Sequence, residues 1–335
     1  MKVAFVAPVY YVGTSFERIC LSIKSCIEAE RLDIDYIVLS DLPNNLDPAE
    51  FDDSHFYKYQ LKLLEHLING KKAYDRLLFI DFFNPGIDIL KYELDRNSLN
   101  TELYALLHGG TFIEEDLLKD AWISKYEKAW TGVYKRVYVP SRYAFSTLPE
   151  FLAQKSSVFS WGLDAVKPLL KPSLTKDIDV VFPHRISSDK GVAELISICE
   201  LCPEVQFVIT SPSGIVPSLF KDLPRIANLS VVTCRDTESY YRILGRSKIV
   251  LSCALQELYG YSVAEAVLSG AYPILPNRQV YPEFYQDDNL YDTPVQAGAL
   301  ITEKLRSHKD TLYDARKIER HSFMPLLRDF LDPNS

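Results

Sequence analysis

The sequence predicts an α/β protein of two Rossmann-like halves, each a parallel sheet flanked by helices. Three observations predict it. Short β-rich apolar runs alternate with helical stretches to about residue 275, and the alternation restarts after the Lys/Pro-rich segment Lys167–Pro172. A chain of 335 residues also suffices for two domains of roughly 150 residues, each burying its own core.

In the first half, Val3–Val9, Ile34–Ser40, Arg76–Asp81, Glu102–His108 and Arg136–Ser141 read as strands. Helical patterns fill the gaps at Phe16–Glu30, Phe56–Ile68 and Leu117–Thr131. The second half repeats the plan with strands Ile178–Pro183, Gln206–Thr210, Leu229–Thr233, Lys248–Ser252 and Tyr272–Leu275. Its helices are Gly191–Leu201, Thr237–Leu244 and Val263–Leu268. A last apolar-faced helix is expected over Phe323–Leu331.

Composition narrows the class. Hydrophobic residues at 47% and charged residues at 24% are ordinary for a globular chain. No apolar run approaches the ~20 residues of a membrane span. The N-terminus reads as a strand rather than a signal peptide, so the expected location is the cytosol. A net charge of −8 disfavours nonspecific coating of nucleic acid but leaves room for a local basic groove. Of the six cysteines only Cys199 and Cys202 have metal-like spacing, and they lack two further ligands, so they read as buried thiols.

Ligands of such sheets bind at the carboxyl ends of the strands, which selects the residues to weigh. After strand Lys248–Ser252, Glu257 and Glu265 lie eight residues apart around Gly260, at a helix N-terminus suited to phosphate. Each carboxylate could accept paired sugar hydroxyls. The competing reading makes Ser262-Val263-Ala264-Glu265 a capping box, a reading that fits Glu257 less well because it precedes the helix. After strand Ile178–Pro183 come Arg185 and Lys190-Gly191, two cations suited to an anion, with solvated surface charges as the alternative. A lysine at a helix N-terminus opposes the macrodipole unless an anion sits there.

In the first half, His108-Gly109-Gly110 follows a strand, and His108 is either a crevice residue or a packing one. Tyr10, Tyr11 and Gly13 follow the first strand, without a GxGxxG fingerprint. Asp33-Ile34-Asp35 and Asp177-Ile178-Asp179 stand at strand starts, the wrong edge for a metal-bound nucleotide, and are rejected as metal ligands.

With these residues in hand, the chain resembles the retaining glycosyltransferase family 4. Glu257 to Glu265 looks like that family's E-x7-E motif, and Arg185 with Lys190-Gly191 like its R-x4-K-G diphosphate site. Val139-Pro140-Ser141 and Trp161-Gly162-Leu163-Asp164 are similar to its domain crossover. The resemblance implies the GT-B fold, with two Rossmann-like domains whose parallel sheets face a central cleft. Residues 1–170 would form the acceptor-side domain, 171–315 the donor-binding domain, and 316–335 a helix crossing back.

It further implies transfer from a GDP- or UDP-sugar with retention, without metal or cofactor. Arg185, Lys190 and amides near Gly260 would stabilise the leaving diphosphate. The donor would lie over Glu257-Leu258-Tyr259-Gly260-Tyr261, with Glu257 on sugar hydroxyls and Glu265 on the ribose. His108 would approach the sugar from the other domain, and Tyr10, Tyr11, Gly13 and His108 would form the acceptor side.

Within the family, Pro183-His184-Arg185, Asp189-Lys190, Gly270–Pro276 and Val280–Glu283 look like the tRNA-queuosine mannosyltransferase group. Val12-Gly13-Thr14-Ser15-Phe16 departs from the Gly-Gly-Ser-His-like segment of that group. The finer likeness implies a modified base in tRNA or DNA as acceptor, ahead of a lipid or polysaccharide. The stretch Lys125, Lys128, Lys135, Arg136 and Arg142 is the candidate basic surface, or else an ordinary solvated helix face. A sugar-nucleotide 2-epimerase and a noncatalytic sugar-nucleotide-binding protein are the rival readings.

Overall fold

Parallel strands buried on both faces read as continuous apolar runs, and that is how the sheets form. In the computed structural model, β1 (Val3–Ala7), β3 (Arg76–Phe79) and β11 (Tyr272–Pro276) are buried along their whole length. The structure describes residues 1–7, 15–38, 53–69, 73–84, 86–113, 122–211, 216–234, 236–307 and 313–332, with side chains omitted at 53–60 and 224. The described residues divide into two compact units, Met1–Ala165 with Ser322–Ser335, and Val166–His321. The turn Lys167–Leu169 therefore belongs to the second unit.

The first unit adds β2 (Ile34–Val38), β4 (Glu102–Leu106), β5 (Arg136–Val139) and β6 (Ser156–Val158). Its sheet runs β2-β1-β3-β4-β5-β6, every pair parallel. The strand order reverses between β1 and β3. Residues 8–14, after β1, hold Tyr10, Tyr11 and Gly13, and these lie outside the described residues. The helix Met324–Leu331 belongs to this unit and buries Leu326, Leu327 and Phe330. Arg136 forks onto Asp329 at 2.9 and 2.7 Å, and Tyr138 donates to the same carboxylate at 2.8 Å. Buried Arg76 donates to the carbonyls of Phe330 and Asp332 at 2.8 and 2.7 Å, a cation placed on the open carbonyls of a helix end.

The second unit comprises β7 (Ile178–Phe182), β8 (Phe207–Ser211), β9 (Leu229–Thr233), β10 (Ser247–Leu251), β11 and β12 (Leu290–Tyr291). Its order is β12-β11-β10-β7-β8-β9, again all parallel. Read from β9, this is the doubly wound order in which the first and fourth strands are neighbours. Its switch point therefore falls between β7 and β10, registered as Val180 opposite Ile249. Helices Val192–Leu201 and Pro294–Arg306 cover one face and share its core of Val180, Phe182, Ile198, Phe207 and Ile274. Two of the four outer strands, β6 and β12, escape a pattern reading because they are only three and two residues long. The helices Ile87–Arg96 and Pro294–Arg306 also go beyond the sequence expectations.

Among the described residues no helix is long and apolar enough to cross a membrane. All six cysteines are free and buried. Burial pushes the Cys199 thiol up to about 12, with a further push from Cys202 and Glu200, as befits a packing residue.

Candidate active site

At the switch point of the second sheet, β7 delivers His184 and Arg185, and β10 delivers Ser252 and the loop leading to Glu257. Lys190 closes a short 3-10 turn, Ser188–Lys190, and Gly191 starts the next helix at φ 69°. A Cβ at Gly191 would lie 2.0 Å from the Cys253 carbonyl oxygen. Only glycine lets the two loops approach this closely.

The Lys190 side chain is only 11% exposed. It donates to the Gln256 carbonyl at 2.9 Å and to Glu257 Oε2 at 3.2 Å, and pairs with Asp189 at 3.6 Å. The macrodipole conflict expected for Lys190 is thus relieved by two carboxylates and a carbonyl. Glu257 Oε1 accepts from the Gly260 amide at 3.1 Å, closing the loop before the helix Tyr261–Leu268. Among the described residues each Glu257 oxygen has one protein donor, which leaves a lone pair for a hydroxyl.

Arg185 is placed differently. Its Nε donates to Ser187 at 3.1 Å and Nη2 to Asp189 at 2.7 Å, while 57% of the side chain is exposed. Nη1 meets no acceptor among the described residues. Burial works to raise the Asp189 pKa, but the Ser187 hydrogen bond and the charges of Arg185 and Lys190 outweigh it and hold the carboxyl below its usual value. Asp189 therefore stays ionised and aims the guanidinium.

Beneath these charges lies a buried polar chain. His184 shares a hydrogen bond with Ser252 Oγ at 2.9 Å through Nε2 and with Ser262 Oγ at 3.2 Å through Nδ1. Ser252 Oγ in turn pairs with the Tyr281 hydroxyl at 2.7 Å. Burial, then the charges of Lys190 and Arg185, pushes His184 well below its usual value, so the imidazole is neutral. Arg278 locks the same loop, donating to the Cys253 and Ala254 carbonyls at 2.9 and 3.0 Å and to Glu194 at 2.8 Å. Asp189, His184, Ser252, Tyr281 and Arg278 are residues that spacing alone does not single out.

The capping-box reading does not hold. The helix starts at Gly260, which has φ 86° and no side-chain cap, and Ser262 turns to His184. Glu257 takes a backbone amide, that of Gly260, against the expectation from its position. Glu265 is fully buried and accepts from Tyr241 at 3.0 Å and Tyr240 at 3.2 Å. Of the neighbouring loop residues, Leu258, Tyr259 and Tyr261 are buried, and Tyr259 pairs with His321 at 3.1 Å. The Gly260 amide is already engaged by Glu257, so it does not stand open for an anion.

In the first unit, His108 follows β4 and its Nε2 bonds the Ile80 carbonyl at 2.8 Å. It stacks on Phe16 at 4.4 Å and meets Trp161 at 4.8 Å. Burial pushes it down to about 4, only partly offset by the Ile80 carbonyl. The basic stretch is divided: Lys135 pairs with Glu102 and Arg136 with Asp329, while Lys125 and Lys128 are exposed on the helix Ile123–Val133. The rejected Asp-x-Asp triplets hold structural partners. Asp177 binds Arg246, Asp179 binds Lys248, and Asp35 accepts from Tyr74.

No family model matches the chain. A tRNA-queuosine alpha-mannosyltransferase of Drosophila melanogaster is 29% identical over 188 residues, covering 50% of this chain and 49% of the relative. The match thus spans about half the length of that curated relative. Sucrose-phosphate synthase from Thermosynechococcus elongatus superposes with a TM-score of 0.68 at 14% identity, over 95% of this chain and 91% of that one. Anabaena HepE in complex with UDP-glucose gives 0.68 at 13% identity, over 98% of both chains. The chain has the GT-B fold of these solved structures, with two Rossmann-like units each built on a six-stranded parallel sheet.

Proposed function

We propose that this protein is a glycosyltransferase that takes its sugar from a nucleoside-diphosphate donor at the β7/β10 switch point. One observation carries the reading. The most exposed cation of the site, Arg185, is aimed by a buried carboxylate beside a Lys190–Glu257 pair whose oxygens can still accept hydroxyls. The name of the Drosophila relative and the UDP-glucose complex of HepE support a sugar-nucleotide donor.

In this reading the acceptor oxygen bonds to the anomeric carbon while the bond from that carbon to the diphosphate breaks. Arg185 meets the growing negative charge, and Lys190 holds Glu257 against the donor sugar, a preorganised electrostatic arrangement. The first turn of the helix Tyr261–Leu268 directs its N–H groups to the same edge. Retention follows from the E-x7-E resemblance, with the acceptor attacking on the leaving-group face and its proton passing to a diphosphate oxygen. Because Arg185 and Lys190 supply the positive charge, no divalent metal is required. The acceptor is a modified base in nucleic acid, a reading that rests on the name of the Drosophila relative.

The test is donor hydrolysis and transfer with UDP- and GDP-sugars, with and without excess EDTA, followed by mass spectrometry of tRNA and hydroxylated DNA. Glu257→Gln keeps the loop-closing acceptor for Gly260 and is expected to lower turnover at least about tenfold at an unchanged melting temperature. Wild-type turnover in that variant sinks the site assignment. Activity that EDTA abolishes sinks the metal-free mechanism, and transfer only to simple sugars or lipids sinks the nucleic-acid acceptor.

A further inference from the structure

The helix Ile123–Val133 of the first unit buries Ile123, Glu127, Trp130 and Thr131 along one stripe. Its other face carries Trp122, at the helix start, and Tyr126, 60% and 49% exposed. The two rings meet edge to face at 5.6 Å, and Tyr126 lies 5.9 Å from Trp130. Trp130 in turn packs edge-on against Phe83 at 5.3 Å. The exposed rings are thus the outer steps of a ladder, one helical turn per step, that ends in a buried anchor. Rings held in this way have little freedom left to lose when a flat ligand covers them.

Lys125 and Lys128 stand exposed on the same helix and meet no carboxylate among the described residues. The helix has a single acid, Glu127, which is buried and accepts from the Thr111 amide at 2.8 Å and from the Thr111 hydroxyl. On the neighbouring helix Ile87–Arg96, Lys91 pairs with Asp95 and Arg96 with Glu93, leaving Asp88 in the first turn. Beyond Tyr126 the face drops to exposed Ala129 and Gly132, and a Cβ at Gly132 would meet nothing within 4 Å. Two standing rings, a recess and unopposed positive charge therefore share one face of a chain whose net charge is −8.

We propose that this face docks a single-stranded loop of nucleic acid, with an unpaired base stacked on Trp122 or Tyr126 and neighbouring phosphates on Lys125 and Lys128. The proposal rests on the nucleic-acid acceptor reading above and adds the surface that grips the strand. Every base has a π-face that an aromatic ring can stack on, but only an unpaired base can splay out to offer it. The two lysines are three residues apart, about 5–6 Å between Cβ atoms, so their flexible stems can serve successive phosphates of one strand. A lipid surface calls for a broad apolar helix face. Here two rings share the face with two lysines, Ser124 and Gly132, and no exposed Leu, Ile or Phe.

The experiment is fluorescence anisotropy of the whole protein with an RNA hairpin bearing an unpaired loop, a blunt RNA duplex and phosphatidylserine vesicles, at several salt concentrations. Wild type is expected to bind the hairpin about tenfold more tightly than the duplex, the value of one stacked base. Trp122→Ala or Tyr126→Ala should remove that preference with the salt slope unchanged, whereas Trp122→Phe and Tyr126→Phe should keep most of it. Lys125→Ala with Lys128→Ala should instead flatten the slope of log K against log salt by about 1.4, roughly 0.7 for each phosphate released. All these side chains stand in solvent, so the melting temperature should hold in every variant. Hairpin binding that none of the variants moves overturns the docking face while leaving the acceptor reading intact. Equal binding to duplex, or tighter binding to the vesicles, also overturns it. Wild type that binds no nucleic acid overturns the acceptor reading and this proposal with it.

Discussion

The two edges of the second sheet carry the same ingredients and use them differently. At the amino edge Asp177 pairs with Arg246 at 2.6 Å, with 45% and 41% of the side chains exposed. Arg246 closes its helix, where a cation suits the macrodipole, and the pair stands in solvent. At the carboxyl edge Lys190 pairs with Glu257 at 18% exposure, and with Asp189 at 9% exposure. There every charge also bonds backbone or a neighbouring hydroxyl. Exposed pairs contribute little, whereas breaking a buried one strands a charge. An acid–base pairing is surface decoration at one edge and a buried, hydrogen-bonded cluster at the other, and burial makes the difference.

Breaking the buried pair should have the largest effect. Lys190→Ala strands Glu257, so it should cost about 3 kcal/mol in chemical denaturation and about 10²–10³ in donor turnover. Arg185→Ala sharpens the contrast: its exposed side chain predicts a turnover loss of about 10² with the denaturation midpoint nearly unchanged. If both variants lose stability equally, Arg185 is structural rather than poised.

Gly191→Ala comes next. Its Cβ must displace the Cys253 carbonyl, so a loss of about 1–3 kcal/mol is expected from overpacking and the strained φ. A wild-type melting curve would mean that the two loops are not held as close as they stand here.

A smaller effect should appear on acidification. His184 is held well below its usual value by burial and by nearby cations, and burial, then Lys167 and Lys317, push His321 from 6.5 to about 4. In that window the unfolded chain binds protons that the folded chain refuses. Stability is therefore full above pH 6.5 and falls as pH drops toward 4. Thermal melts across the window should show this slope, and His321→Gln should flatten it. The smallest effect is expected at the amino edge. Asp177→Asn should leave melting temperature and turnover unresolved from wild type, and a clear loss of either would dissolve the comparison.

Much of the fold was legible before any coordinates. Ten of the strands are apolar runs long enough to show, because a parallel sheet covered on both faces demands them. The short edge strands β6 and β12 were not legible, since Ser156-Ser157-Val158 and Leu290-Tyr291 carry too few residues for a pattern. Around the site, Arg185, Lys190, Glu257 and Gly260 stood out because chemistry after a strand concentrates where loops meet the carboxyl edge.

The sequence by itself determined the alternation of strand and helix, the second start after Lys167–Pro172, and the charged residues at two loop–helix junctions. These are local properties, set by periodicity and by which side chains follow each strand. Only the tertiary structure decided that β7 and β10 are neighbours, because strand order depends on pairing across distant segments. That adjacency turned two separate motifs into one site and brought Lys190 onto Glu257. It also decided that Glu257 takes the Gly260 amide, and that Glu265 answers to two tyrosines on another helix. A carboxylate's partners come from whatever packs against it, and packing between helices is not written in the spacing of either one.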